Sequence, residues 1–224
     1  MSDPRERLTR LVELATESAP EKRRMLATEL CDLLLDWPPN YPAAMREPFE
    51  TLLEKTMRLI DREARVALIA RIAMSGPLDF LNEFFFDAPA ELRAVILARN
   101  AQAPLPAVPS GPIDEAALIE AARRDVNGAF TDRFAQAARF DGETAACILR
   151  DDTAAALAVA AKGAHLSRAA FSALALLADG ACAPDQTLAR LAAYDGVAQG
   201  AAESMVRFWR MRAAQRAGDD SKAA

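Results

Sequence analysis

Short amphipathic segments separated by Pro, Gly or Asp run through roughly the first hundred residues, and similar segments resume after a Pro-rich stretch. Each segment is about ten to fifteen residues long, with apolar residues at the i, i+3, i+4 spacing that gives a helix one apolar face. Helices this short are marginal alone and must bury that face against neighbours. The pattern predicts an all-α fold of stacked antiparallel helical hairpins, an α-solenoid. A two-part helical bundle is the alternative architecture.

A stretch of helix-breaking residues divides the chain into two helical halves. A stretch with Pro104, Pro106, Pro109 and Pro112 cannot form a regular helix and is expected to run extended. We therefore predict an N-terminal half at 1–101, a linker at 102–112, a C-terminal half at 113–217 and a disordered tail at 218–224. The predicted helices are 5–16, 20–37, 48–60, 61–74, 78–86, 89–101, 113–124, 126–138, 142–150, 153–162, 167–178, 185–193 and 197–216.

Composition limits the classes of partner. Lys and Arg number 27 against 32 Asp and Glu, so the net charge is −5 and a nucleic acid would meet repulsion. No apolar run approaches the roughly 20 residues that span a bilayer, and the start lacks the layout of a secretory signal. We expect a cytoplasmic protein that binds neither nucleic acid nor membrane.

Motifs of catalysis and cofactor binding are lacking in the sequence. It contains no GxSxG elbow, Gly-rich phosphate loop, GxxxxGK[ST] or HExxH. Cys31, Cys147 and Cys182 are far apart and lack a CxxC partner, which favours structural, reduced thiols over a disulfide frame or zinc site. These features predict a protein without enzymatic activity, metal or cofactor.

His165 is the only histidine, so any imidazole chemistry must use it. Gly163 before it is typical of a helix end and Ser167 after it of a helix start, so the residue is predicted to lie in a turn. A phosphotransfer histidine normally lies on a helix face. Acidic pairs such as Asp141 with Glu143 stand where helices begin, which favours capping over metal or acid/base chemistry.

Two segments are candidate interaction sites. Phe80, Phe84, Phe85 and Phe86 belong to a segment whose apolar residues point to nearly every side of a helix. Such a helix is either sandwiched between neighbours or exposes aromatic rings to a partner or a second copy of the chain. The last helix carries Arg207, Trp209 and Arg210, which either anchor that helix or bind an acidic protein or a phosphate.

Three stretches carry a family resemblance. They are DREARVALIARIAMSGPLDFLNEFFFDAPAELRAVILARN at 61–100, AARFDGETAACILRDDTAAALAVAAKGAHLSRAAFSALALLA at 137–178, and ESMVRFWRMRAAQR at 203–216. Together they resemble the bacterial family called domain of unknown function 2336, most specifically in the Arg-Phe-Trp-Arg element at 207–210. The Phe-rich run at 84–86 departs from the more alanine- and leucine-rich helix expected there. The resemblance implies HEAT-like helical packing and no catalytic residues.

These observations predict a cytoplasmic, non-enzymatic protein of helical repeats that binds another protein of unknown identity, with a homodimer through the Phe-rich segment as a secondary hypothesis. Two alternatives remain open. One is a phosphorelay protein that uses His165, and the other is a sensor of anions or nucleotides at the C-terminal arginines.

Overall fold

The computed structural model describes residues 4–39, 41–102, 111–125, 128–177 and 184–223, and for 4–8 and 219–223 it describes the backbone alone. Within these ranges all regular structure is helical, so the predicted all-α fold is confirmed. The chain divides into two compact units, Met1–Ile96 and Leu97–Ala224. The helices of the first are α1 (Pro4–Thr16), α2 (Pro20–Leu35), α3 (Arg46–Leu59), α4 (Arg62–Ile72), α5 (Leu78–Glu83) and most of α6 (Ala90–Asn100).

The N-terminal unit is built around α2, which packs against α1, α3 and α4. Its inner face buries Leu26, Leu30, Leu33 and Leu34, as the helical spacing predicts. Asp61 caps α4 by accepting a hydrogen bond of 3.0 Å from the backbone N–H of Ala64. Three ion pairs add links between helices on the surface of this unit: Arg10 with Glu29, Arg24 with Asp61, and Arg71 with Asp32.

The C-terminal unit surrounds one alanine-rich helix. Its helices are α7 (Glu115–Arg123), α8 (Ala129–Ala138), α9 (Gly142–Leu149), α10 (Ala155–Gly163), α11 (Arg168–Leu177), α12 (Pro184–Gly196) and α13 (Gln199–Ala223). Every residue from 156 to 161 in α10 is buried, and this helix contacts α9, α11, α12 and α13. Small side chains on all sides let four neighbours approach. A contact between α7 and α11 adds a longer-range pairing to the serial ones.

Gly163 lets α10 and α13 approach closely. A Cβ atom at this position would lie 2.6 Å from Val206 Cγ2 and still closer to the carbonyl oxygen of Ala202. The obstacle on α13 is therefore partly backbone, which cannot rotate away as a side chain can. Gly163, which the sequence predicts as a helix end, is thus also the residue at which α10 contacts α13 most closely.

Two boundaries differ from the sequence-based expectations. The unit boundary falls inside α6, between Ile96 and Leu97, whereas most of the predicted 102–112 linker lies outside the described residues. The backbone from 218 to 223 continues α13, where a disordered tail is predicted. A single exposed glycine costs a helix only about 1 kcal/mol, so Gly218 alone does not end it.

Candidate functional site

The Phe-rich segment is a turn following a short helix, which corrects the helix predicted over 78–86. Helix α5 ends at Glu83, and Phe84 leaves helical geometry with φ −100° and ψ 18°. Three consecutive aromatic residues can point in different directions because the backbone turns there. Phe80, Phe84 and Phe85 are buried and Phe86 is half-buried, so the sandwiched alternative holds and these rings do not form an exposed surface.

Arg93 of α6 holds this turn in place. Its Nε donates to the carbonyl oxygens of Phe85 and Ala88 at 3.1 and 2.8 Å, and its Nη2 donates to that of Phe86 at 3.1 Å. The guanidinium also lies 5.3 Å from the centre of the Phe85 ring. One cation thus donates to three carbonyls of the turn, and that of Phe85 also accepts from the backbone N–H of Ala88 at 3.3 Å.

The Arg-Phe-Trp-Arg element anchors α13 to the corner between α8 and α9. Trp209 is buried, with its ring edge-on to Phe140 at 5.7 Å, so it too is not exposed for a partner. Arg210 Nε donates to the carbonyl oxygen of Ala138 at 2.8 Å. Arg207 is half-buried. Of the two alternatives stated for this helix, the structure places its aromatic residues in the anchoring role.

Charges at the same corner are unevenly compensated. Arg216 pairs with Asp141 at 3.0 Å and with Glu143 at 3.3 Å. Burial lowers the pKa of Arg210, and the nearby charge of Arg139 lowers it further. The pKa of Arg210 is therefore lowered first by burial and second by the charge of another guanidinium.

His165 lies in the turn between α10 and α11, as predicted, with a left-handed backbone of φ 61°. Its Nδ1 is 3.3 Å from Gln199 Nε2, and its Nε2 is 3.6 Å from a carboxylate oxygen of Glu203. Gln199 also donates to the carbonyl oxygen of Lys162 and to Glu203. The imidazole therefore belongs to a polar link between this turn and the start of α13.

Further polar contacts surround the same turn. Glu115 accepts from the backbone N–H and the hydroxyl of Ser167 at 2.5 and 2.6 Å. Tyr194 donates to the carbonyl oxygen of Leu166 at 2.8 Å, and its pKa is raised by burial first and then by the charges of Glu115 and Asp195. Each of these groups joins the turn to α7 or α12, which is a structural use of polar chemistry.

Acidic residues at helix starts act as caps, as the sequence predicts. Asp141 accepts from the backbone N–H of Thr144 at 2.7 Å, and Asp114 accepts from that of Ala117 at 3.0 Å. Asp151 accepts from the N–H of Ala156 at 2.8 Å, beside the left-handed residue before α10. No group of three His, Cys, Asp or Glu that could hold a metal ion occurs within the described ranges.

The two cysteines that the structure describes are reduced thiols, as the sequence predicts. Cys31 is buried in α2, and burial raises its pKa to about 12, with a further contribution from Asp32. Cys147 is half-buried, and both are free thiols. Cys182 lies outside the described residues.

An exposed apolar surface that the sequence analysis missed lies at one end of the α11–α12 hairpin. Within α12 the one buried residue is Arg190, whose Nη2 donates to the carbonyl oxygen of Ala175. The leucines of this surface are 51%, 38% and 67% exposed: Leu176, Leu177 and Leu188. We call these three residues the leucine surface.

The register of the two helices brings the leucines to the same level. The Phe171 ring contacts the Tyr194 ring at 5.2 Å, and Ala175 lies opposite Arg190. Four residues toward the end of α11 thus correspond to four residues toward the start of α12, as in an antiparallel pair. Two residues further along each helix, Leu177 is level with Leu188. Exposed leucines in two separate helices give no sequence signal that they lie at the same level.

Comparison with known proteins adds no relative. No family model, curated protein or solved structure matches the chain. The resemblance to the domain of unknown function 2336 family stays a prediction. None of the described helices combines the length and the hydropathy needed to cross a membrane.

Proposed function

We propose that this chain is a non-catalytic interaction protein that binds another protein through the leucine surface. The observation that carries the proposal is the position of Leu177 and Leu188 at the same level of one hairpin, both exposed, on a helix pair whose second member buries only an arginine. Exposed leucines that occur singly on a surface need no partner, whereas a group of exposed apolar residues on adjacent helices is a candidate docking site.

The use of charged residues elsewhere supports a binding role. Arg93, Arg210, Arg216 and Glu115 hold turns or helix ends, and the acids that precede helices cap them. These side chains therefore serve the helical scaffold. Leu176, Leu177 and Leu188 are exposed instead, and a contact with another molecule would cover them.

The leucines can contribute a measurable share of an affinity. Complete burial of a leucine side chain is worth about 2 kcal/mol. Leu188 is 67% exposed, so covering it is worth about 1.3 kcal/mol, close to a tenfold change in dissociation constant. A charge at this position costs more, because the partner's apolar face would also have to desolvate it.

The experiment is affinity capture from the native cell extract with three forms of the full chain: wild type, Leu188→Glu and Leu59→Glu. Leu59 is the matched control, because it is 61% exposed and ends α3 in the other unit. We expect a partner that the wild type and Leu59→Glu retain and that Leu188→Glu loses. Equal capture by all three forms would contradict the proposal. Circular dichroism of each form checks that the fold is intact.

The phosphorelay alternative is the weaker proposal. His165 is exposed, as a phosphoryl acceptor must be, but the Glu203 carboxylate stands 3.6 Å from Nε2. A phosphoryl group on that nitrogen would be repelled by the carboxylate. Incubation with phosphorylated receiver domains tests it: label that is absent from His165→Ala and stronger in Glu203→Gln supports a relay, and equal labelling of wild type and His165→Ala ends it.

A further inference from the structure

A cavity of about 320 Å³ lies between the end of α7 and the start of α8, within the C-terminal unit. Its apolar lining includes Ala117 and Ala121 of α7 and Phe130 of α8. Ala121 and Phe130 are buried, whereas Ala117 is exposed, so an apolar floor lies below an open mouth. The volume is at the lower end of the range of small-molecule sites in proteins.

Four charged side chains line the same cavity, and two of them neutralise each other. Arg124 donates from Nε to a carboxylate oxygen of Glu120 at 2.7 Å. Asp125 uses one carboxylate oxygen, Oδ1, to accept from the backbone N–H of Phe130 at 3.0 Å. This hydrogen bond satisfies a free N–H at the start of α8 and fixes the Asp125 carboxylate beside the cavity.

The remaining two charges have opposite signs and are not paired. Among the residues that the structure describes, Arg133 forms no hydrogen bond or ion pair, and Oδ2 of Asp125 accepts no hydrogen bond. Both side chains line the cavity, yet no ion pair joins them. A guanidinium binds a carboxylate through two parallel N–H donors, and a carboxylate oxygen accepts from an ammonium group. Together the two side chains have the chemistry that recognises a zwitterion.

A ligand with a single charge fits this lining less well. An anion at Arg133 would be repelled by the carboxylates of Glu120 and Asp125, which line the same cavity. A cation at Asp125 would be repelled in the same way by Arg124 and Arg133. A small ligand that carries both charges matches each of the two unpaired side chains with its opposite.

We propose that this cavity binds a free amino acid with an apolar side chain. The α-carboxylate of the ligand accepts from the guanidinium of Arg133, and its α-ammonium group donates to Oδ2 of Asp125. Its side chain lies on the floor formed by Ala121 and Phe130. None of the residues of the leucine surface lines the cavity, so the site does not depend on the protein-binding function.

The test is isothermal titration calorimetry of the full chain with L-leucine and three analogues. Isocaproate lacks the ammonium group, isoamylamine lacks the carboxylate, and glycine lacks the side chain. We expect saturable binding of L-leucine, and binding about tenfold weaker when either charged group is missing, because each makes a hydrogen bond between charged partners. Glycine should also bind more weakly. No saturable binding of L-leucine, or equal binding of any of the three analogues, overturns the proposal.

Two variants assign the charges of the ligand to the side chains of the site. Arg133→Gln should weaken L-leucine binding about tenfold and remove its preference over isoamylamine. Asp125→Asn keeps an acceptor for the N–H of Phe130, and should weaken L-leucine binding to a similar extent and remove its preference over isocaproate. Arg123→Gln and Asp132→Asn are the matched controls, because both residues are exposed on the same two helices and do not line the cavity. Unchanged affinity in both Arg133→Gln and Asp125→Asn would contradict the site.

A larger side chain at the mouth tests the position of the ligand without changing a charge. Ala117→Leu fills part of the cavity from an exposed position of α7 and should abolish L-leucine binding. Ala116→Leu is the matched control, since Ala116 is the preceding exposed residue and does not line the cavity. Circular dichroism shows whether each variant keeps its helices. Undiminished L-leucine binding in folded Ala117→Leu would place the ligand elsewhere and refute the proposal.

Discussion

The contact between α10 and α13 can be tested by adding a single methyl group at Gly163. Gly163→Ala places a Cβ 2.6 Å from Val206 Cγ2 and against the carbonyl oxygen of Ala202. Overpacking of a core costs about 1–3 kcal/mol, and the upper part of this range applies because a backbone oxygen must move. Alanine recovers less than about 1 kcal/mol through its helix propensity, since residue 163 ends α10. The net loss should be about 2 kcal/mol.

Urea unfolding followed by far-UV circular dichroism measures this loss. With a slope of about 2 kcal/mol per molar urea, the midpoint should fall by about 1 M. Gly200→Ala is the matched control, because Gly200 lies on α13 and a Cβ there meets no atom within 4 Å. It should leave the midpoint unchanged or slightly raised. If Gly163→Ala is as neutral as the control, the close crossing of the two helices is wrong.

Three other predictions concern stability and reactivity. Arg93→Met should cost about 2–3 kcal/mol in urea unfolding, since three turn carbonyls lose the hydrogen bonds from its guanidinium, whereas Arg123→Met on an exposed side chain should cost less than about 0.5 kcal/mol. The pKa of Asp61 is lowered chiefly by the hydrogen bond from the backbone N–H that it caps. The Asp61 carboxylate therefore stabilises the folded protein fully above the unfolded pKa of about 3.9, and this contribution is lost as pH falls through the lower folded pKa. Asp61→Asn keeps the cap and should flatten this acid-range loss in a pH series of unfolding curves; an unchanged slope would count against the cap's charge. Burial raises the pKa of Cys31 to about 12, so its thiol should not react at pH 8 while the protein is folded. A thiol reagent, with modification followed by mass spectrometry, should modify Cys147 quickly and Cys31 only in urea. Equal rates of modification of the two thiols in the folded protein would refute the burial of Cys31.

Local features of the fold could be predicted from the sequence because they depend on neighbours in the chain. Asp61 and Asp141 cap helices through N–H groups three residues ahead, and Pro20 begins a helix at its first turn. The position of His165 in a turn follows in the same way from the flanking Gly163 and Ser167.

Features of the fold that depend on long-range packing could not be predicted from the sequence. The run from 154 to 161 is apolar on every side, which is typical of a buried helix, yet only the structure shows that four helices surround it. The sequence at Phe84 and Phe85 is compatible with both buried and exposed rings. Their burial depends on a turn that Arg93 holds from the following helix. The position of Leu177 level with Leu188 depends on hairpin register, which no local pattern encodes.

Hydrogen exchange with a captured partner tests the central claim of binding through the leucine surface most directly. The full chain is measured by mass spectrometry with and without that partner, and peptides from α11 and α12 are compared with peptides from α3, which carries Leu59. Binding through the leucine surface predicts slower exchange in α11 and α12 and no change in α3. Protection confined to other helices, with α11 and α12 unchanged, would contradict it.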